Sequence, residues 1–224
     1  MKSPRNGNPS KKWTMGLFLL LSFFAVSALS AKEQITPCQM LLSEAEQRAA
    51  GFDRQRAMYP PDRAKRLAMM SLRDGTAFMR KGELAKAMGE LNRAWRFDPS
   101  NPYPYWLAGI VRGMEATRLT ESDLQKSCFD DSLKLFAKAA AIIKTSPSRE
   151  LKENLALDRA ETLIQYGSFL TREHPEQAEQ LFRQAEALLA GIVPGRDARG
   201  GQVTKRIGDT RARMNAAREK SGSK

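Results

Sequence analysis

Between residues 68 and 101 the chain reads AMMSLRDGTAFMRKGELAKAMGELNRAWRFDPSN, and the placing of its small and apolar residues admits few folds. Gly75, Phe78, Gly82, Ala87, Leu91, Ala94 and Pro99 stand where two packed helices and their turn would need them. A glycine at 75 lets one helix approach a partner closely, Phe78 fills the space beside it, and Gly82 opens the turn. Ala87, Leu91 and Ala94 then share one face of the second helix, being four and three residues apart. Pro99 ends the unit. Such a pair cannot bury its apolar face alone, which predicts further copies.

Two degraded copies follow. In YPYWLAGIVRGMEA, Gly109 holds the place of Gly75, and in FDDSLKLFAKAAAI, Phe136 and Ala139 match Leu91 and Ala94. Ala94 lies 19 residues after Gly75, whereas Ala139 lies 30 after Gly109, so about three helical turns lengthen this second pair. LALDRAETLIQYGSFL opens a third copy around Gly167, and beyond its turn Ala178, Phe182 and Ala185 repeat the first spacing within one residue. Breaks fall at Pro60-Pro61, at residues 98–102, at Ser146-Pro147-Ser148, at His174-Pro175 and at Pro194-Gly195. Between them the pattern predicts helices over residues 62–80 and 83–97, with Asp62 as a cap, and one long helix capped within residues 120–123 and running to 144. A shorter helix is expected over residues 39–57.

The pattern resembles the tetratricopeptide repeat over roughly residues 62–190, most specifically in its first copy. The resemblance implies an all-α fold, a short α-solenoid of about three helical hairpins (62–101, 102–147 and 148–194) with a C-terminal capping helix inside residues 195–224. Val203, Ile207, Thr210, Met214 and Ala217 recur at helical spacing there, as a cap requires. Family members are protein-interaction scaffolds whose first helices line a concave groove. Carried over position by position, that groove comprises Met69, Leu72, Thr76 and Met79, then Tyr103, Trp106 and Ile110, then Ile164, Ser168 and Thr171. Aromatic and methionine side chains suit a peptide-binding surface, although Leu72, Trp106 and Ile164 are equally well read as core. Leu72, Thr76, Trp106 and Ile110 stand where carboxylate-clamping members carry Lys and Asn, so an acidic chaperone tail is not expected as partner.

Composition agrees with a helical reading: no stretch alternates β-branched and polar residues over strand length. The net charge of +12 invites a nucleic-acid partner, but its placement argues otherwise. Residues 1–32 hold five of the twelve charges and residues 196–224 a net six, which leaves one for the repeat body. Lys205, Arg206, Arg211, Arg213 and Arg218 form a basic C-terminal patch that reads first as the solvated face of the cap and second as a contact for anionic lipid or an acidic envelope partner. No aromatic residue follows Phe182 to stack on bases, so nucleic acid is not expected.

Residues 1–31 read as an export signal: a basic MKSPRNGNPSKK, the apolar MGLFLLLSFFAVSAL and small residues before Ala31. The apolar run is shorter than the roughly 20 residues of a comfortable span. Two outcomes stay open, a cleaved signal giving a periplasmic protein and a retained inner-membrane anchor facing the periplasm. Residues 32–61 then form an N-terminal helix and linker. In an exported chain Cys38 and Cys128 raise a disulfide, closing a loop worth up to ~4.6 kcal/mol in the chain-entropy model. Cys128 is equally compatible with an inert buried thiol, since it falls at helical spacing with Leu124, Ser132 and Leu135.

No catalytic constellation is readable. His174 is the single histidine and precedes a proline in a turn. Two cysteines 90 residues apart and one histidine make no metal cluster, and Gly195, Gly200 and Gly201 follow no strand that would make them a phosphate loop. Asp130 and Asp131 are expected on a solvated helix face rather than as an acid–base pair. The sequence therefore predicts a non-enzyme without cofactor, metal or small-molecule substrate, whose partner is a protein of unknown identity.

Overall fold

A computed structural model describes residues 51, 54, 57–192 and 198–222; of residue 198 and residues 217–222 the backbone alone is described. Among the described residues the chain is all-helical, with seven helices and no strand. They are α1 (Pro61–Arg80), α2 (Leu84–Phe97), α3 (Pro102–Ala116), α4 (Ser122–Ile143), α5 (Arg149–Leu170), α6 (Pro175–Ala190) and α7 (Ala198–Gly222). The export run, Cys38 and most of the helix expected over residues 39–57 lie outside the described residues. No described helix is long and apolar enough to cross a membrane.

Local chemistry sets the helix ends. Pro61 occupies the first turn of α1, where its missing N–H costs nothing, and Pro60 rather than the expected Asp62 is the flanking residue. Asp62 lies in the first turn instead, favourable to the positive end of the helix. Asn101 caps α3 by accepting from the Tyr103 amide at 3.0 Å, and Ser148 caps α5 by accepting from the Leu151 amide at 3.2 Å. The stop of α1 is the most specific of these. Gly82 takes φ 75°, its amide donates to Met79 O at 3.0 Å, and the Glu83 amide donates to Phe78 O at 3.0 Å. That pair of bonds is a Schellman ending, which needs a residue at ease in the left-handed region. Arg118, beyond α3, closes over the same turn by donating from Nη1 to Gly82 O at 3.0 Å.

Successive helices pair as hairpins, α1 with α2, α3 with α4 and α5 with α6, and α2 and α4 also meet the hairpin that follows. The first helices touch one another as well, α1 against α3 and α3 against α5. Each hairpin closes on one glycine. A Cβ built on Gly75 would lie 3.2 Å from the Leu91 side chain, one on Gly109 would lie 3.2 Å from the Phe136 ring, and one on Gly167 would lie 2.5 Å from the Phe182 ring. The partner helix packs at the distance that an absent side chain permits. Ala87, Ala94, Ala139, Ala178 and Ala185, the small residues of the pattern, are all fully buried.

The core has two centres. One joins α1 to α4, from Leu72, Met88 and Leu91 to Trp106, Phe136 and Ile143, with Phe78 packed at its edge. Trp95 on α2 donates its indole N–H to the Tyr105 hydroxyl on α3, tying the first hairpin to the second. The other centre joins the start of α4 to α5, α6 and α7. The extra length of the second hairpin falls mostly in α4, which has 22 residues against 14 in α2. Its added turns bring Cys128 and Phe129 into this second centre, where Phe129 stacks on Tyr166 with centroids 4.9 Å apart. Cys128 is fully buried and disulfide-bonded.

Candidate protein-interaction surface

The residues assigned to a groove by sequence divide into three groups. Met69 on α1 and Tyr103 at the start of α3 are exposed, at 60% and 43%. Leu72, Trp106 and Ile164 are buried among the core residues of their hairpins, which corrects their reading as groove lining. Met79 and Ile110 are partly buried against the first core centre. The hydroxyls turn back on their own helices: Thr76 donates to Leu72 O at 2.8 Å, Ser168 to Ile164 O at 2.7 Å and Thr171 to Ser168 O at 2.9 Å. They satisfy backbone carbonyls and fix no outside polar group in this arrangement. The apolar surface is therefore narrower than predicted and centres on Met69, its exposed neighbour Met70, and Tyr103, whose ring stacks at 5.6 Å on the buried Trp106. Met70 is absent from the sequence-derived set because it lies one position off the carried-over stripe.

Trp106 shows why burial was not readable. Its indole N–H donates to Asp158 Oδ2 at 2.8 Å, so the polar edge of a large ring is satisfied 52 residues away on α5. Asp158 also accepts from Arg199 on α7, and Arg199 reaches Glu161 at 3.1 Å. Arg206 adds a bond from Nη1 to Glu161 Oε1 at 2.7 Å. Two carboxylates one turn apart on α5 thus hold both a first-helix tryptophan and the terminal helix. Burial works against the charged Arg199, but the hydrogen bonds to Asp158 and Glu161 outweigh it and its pKa is raised.

Part of the basic patch is engaged within the molecule, through Arg206 and Arg211. Arg211 donates from Nε to Glu179 Oε2 at 3.0 Å and from Nη2 to Glu179 Oε1 at 2.7 Å, pairs with Glu186, and lies over the Phe182 ring at 5.9 Å. The Arg211 bonds hold the Glu179 carboxyl below its usual range, against an opposing contribution from burial. Arg213 folds back on Asp209 O and on the Thr210 hydroxyl. Of the predicted set Lys205, Arg206 and Arg213 are exposed and Arg211 is half-buried, and the side chain of Arg218 lies outside the described residues. Between these flanking cations α7 carries Val203, Ile207 and Met214, which pack in the second core centre, with Thr210 buried beside them.

No protein-family model, no curated protein and no solved structure matches the chain. Its chemistry has to be judged from its own residues. Among the described residues no three His, Cys, Asp or Glu side chains are placed to hold a metal ion. His174 is exposed at the entry to α6. Asp130 and Asp131 do not lie on a solvated face as expected. Asp131 is buried and pairs with Lys134 at 3.1 Å, while Asp130 is half-buried beside the Tyr166 phenol. Burial first, and the Asp130 hydrogen bond next, push that phenol well above its ordinary pKa. The sequence missed this because Asp130 lies beside Phe129, whose ring stacks on Tyr166 of α5, a neighbour that nothing near position 130 in the chain marks.

Proposed function

We propose that the chain is a tetratricopeptide-like α-solenoid of three hairpins closed by α7, and that it serves without catalysis as an exported scaffold or assembly factor binding a protein partner. The supporting observation is the threefold recurrence of one contact, a helical glycine against Leu91, Phe136 or Phe182. Three hairpins built on the same close approach, with their first helices touching in succession, form a surface that repeats along the chain. Its exposed apolar part, Met69, Met70 and Tyr103, offers the large side chains that dominate protein interfaces. The basic and apolar pattern of residues 1–31 is what supports a periplasmic site of action, in a cleaved or an inner-membrane-anchored form.

The rival reading, a membrane-surface adaptor docking through its C-terminal helix, has less support. Arg199, Arg206 and Arg211 neutralise carboxylates of α5 and α6, which among the described residues of α7 leaves Lys205 and Arg213 outside any ion pair with a carboxylate.

Affinity capture from an envelope fraction compares the wild type with a Met69→Ala, Tyr103→Ala double variant. Both side chains are exposed, so the fold is retained while the apolar surface shrinks. Loss of one or more captured proteins from the variant supports the reading, and identical sets from both would remove the surface assignment.

A further inference from the structure

On another side of the molecule the end of α4, the first half of α5 and the end of α6 surround an open pocket of about 350 Å³, at the small end of the range for ligand sites. Its walls are apolar: Ala140 and Ile143 from α4, Leu155 and Ala156 from α5, and Leu188 from α6. Among the described residues the polar ones that line it are Lys144, Lys152 and Arg159, with no carboxylate. On α5 the helical repeat turns residues 152, 156 and 159 away from Asp158 and Glu161, so this pocket is separate from the surface that α3 and α7 share.

The three cations differ from those of α7. Arg199, Arg206 and Arg211 each find carboxylates, whereas none of the three at the pocket forms an ion pair or side-chain hydrogen bond among the described residues. The Arg159 Nε is buried and has no acceptor. A buried guanidinium N–H without an acceptor is costly, and a carboxylate is the group whose two oxygens match the guanidinium fork. Apolar walls with an unpaired cationic rim complement a molecule that is apolar along its length and anionic at one end.

We propose that this pocket binds a single-chain carboxylate amphiphile, with the alkyl chain between α4, α5 and α6 and the head group against Arg159, Lys144 and Lys152. No motif predicts such a ligand, because its lining residues come from three helices and are ordinary within each. The site is independent of the protein-partner surface: one can fail without the other.

Titration calorimetry on the full chain tests it with decanoate, kept below its micellar concentration, and with decyltrimethylammonium as a cation of the same chain length. The expected result is saturable one-to-one binding of decanoate and at least about tenfold weaker binding of the cation. Arg159→Gln is expected to weaken decanoate about tenfold, and Ala156→Trp, which fills the pocket, to abolish binding. Circular dichroism and melting establish that each variant is folded. Should Arg159→Gln fail to fold, the double variant Lys144→Gln, Lys152→Gln carries the charge test, since both side chains are exposed. Equal affinity for the two head groups would overturn the proposal. So would unchanged decanoate affinity in a folded Arg159→Gln or Ala156→Trp protein, or no saturable binding of decanoate at about 1 mM.

Discussion

At the scale of single residues, glycine separates the sites where space is absent from those where it is free. A methyl group on Gly167 would meet the Phe182 ring at 2.5 Å, and that ring is fully buried with nowhere to go. Gly167→Ala is expected to destabilise the fold by about 1–3 kcal/mol, the usual cost of overpacking a filled core. Gly89, in the interior of α2, meets nothing within 4 Å. There the same substitution gains helix propensity, and Gly89→Ala is expected to stabilise by roughly 0.5–1 kcal/mol. Urea melts of the two variants should move in opposite directions. Gly75, whose Cβ would lie 3.2 Å from Leu91, lies between these cases because that side chain need give by only a few tenths of an ångström. The three packing glycines were legible in sequence because each first helix is followed by a second whose large residue stands three residues before an alanine of the pattern: Leu91 before Ala94, Phe136 before Ala139 and Phe182 before Ala185. Asp158 was not legible: nothing near it in the chain marks an aspartate that accepts from a tryptophan on α3 and an arginine on α7.

At the scale of elements, the attachment of α7 rests on Val203, Ile207 and Met214 and on the Arg211 pairs. The Glu179 carboxyl is held below its ordinary value chiefly by the hydrogen bond from Arg211. A carboxylate depressed in the folded state contributes stability that is present above its unfolded value and lost as pH falls through the folded one. The docking of α7 should therefore weaken as the pH drops below about 4.5. Hydrogen exchange of residues 198–216 at stepped pH checks this. With each rate taken relative to the intrinsic amide rate at that pH, the wild type is expected to lose protection in acid, with a smaller loss for Glu179→Gln. Arg211→Ala, which removes both carboxylate partners at once, should cost roughly 1 kcal/mol at neutral pH, a modest sum because the network is partly solvated. The helix itself was legible from its apolar spacing. Its ion pairs were not, since Glu161, Glu179 and Glu186 read as ordinary solvated residues until α7 is laid against them. The same cause hid that Arg206 and Arg211 of the basic patch reach carboxylates of α5 and α6: charge in a sequence has a sign and a position but no direction.

At the scale of the whole molecule, the order of helices and breaks was legible because proline, glycine and capping residues punctuate it, at Pro60-Pro61, Gly82, Asn101 and Ser148. The candidate surface was legible only in outline. Met69 and Tyr103 are exposed where the resemblance puts them, but Leu72, Trp106 and Ile164 on the same stripes are core, because the first helices touch each other and cover them. Sequence spacing identifies a helix face, and only the neighbouring hairpin decides how much of that face stays open. The pocket beside Arg159 follows the same rule from the other side, a gap left between three helices that no single helix foretells. The central claim is that the open face of the first helices is where a protein partner binds. Photo-crosslinking in intact cells tests it directly, with a photoreactive phenylalanine placed singly at Met69 and Tyr103 on the first helices and at Lys138 and Gln184 on the second, all four being exposed positions. The account predicts one adduct of common mass from positions 69 and 103 and none of that mass from 138 or 184. The same adducts from all four positions, or adducts from 138 and 184 alone, would contradict it.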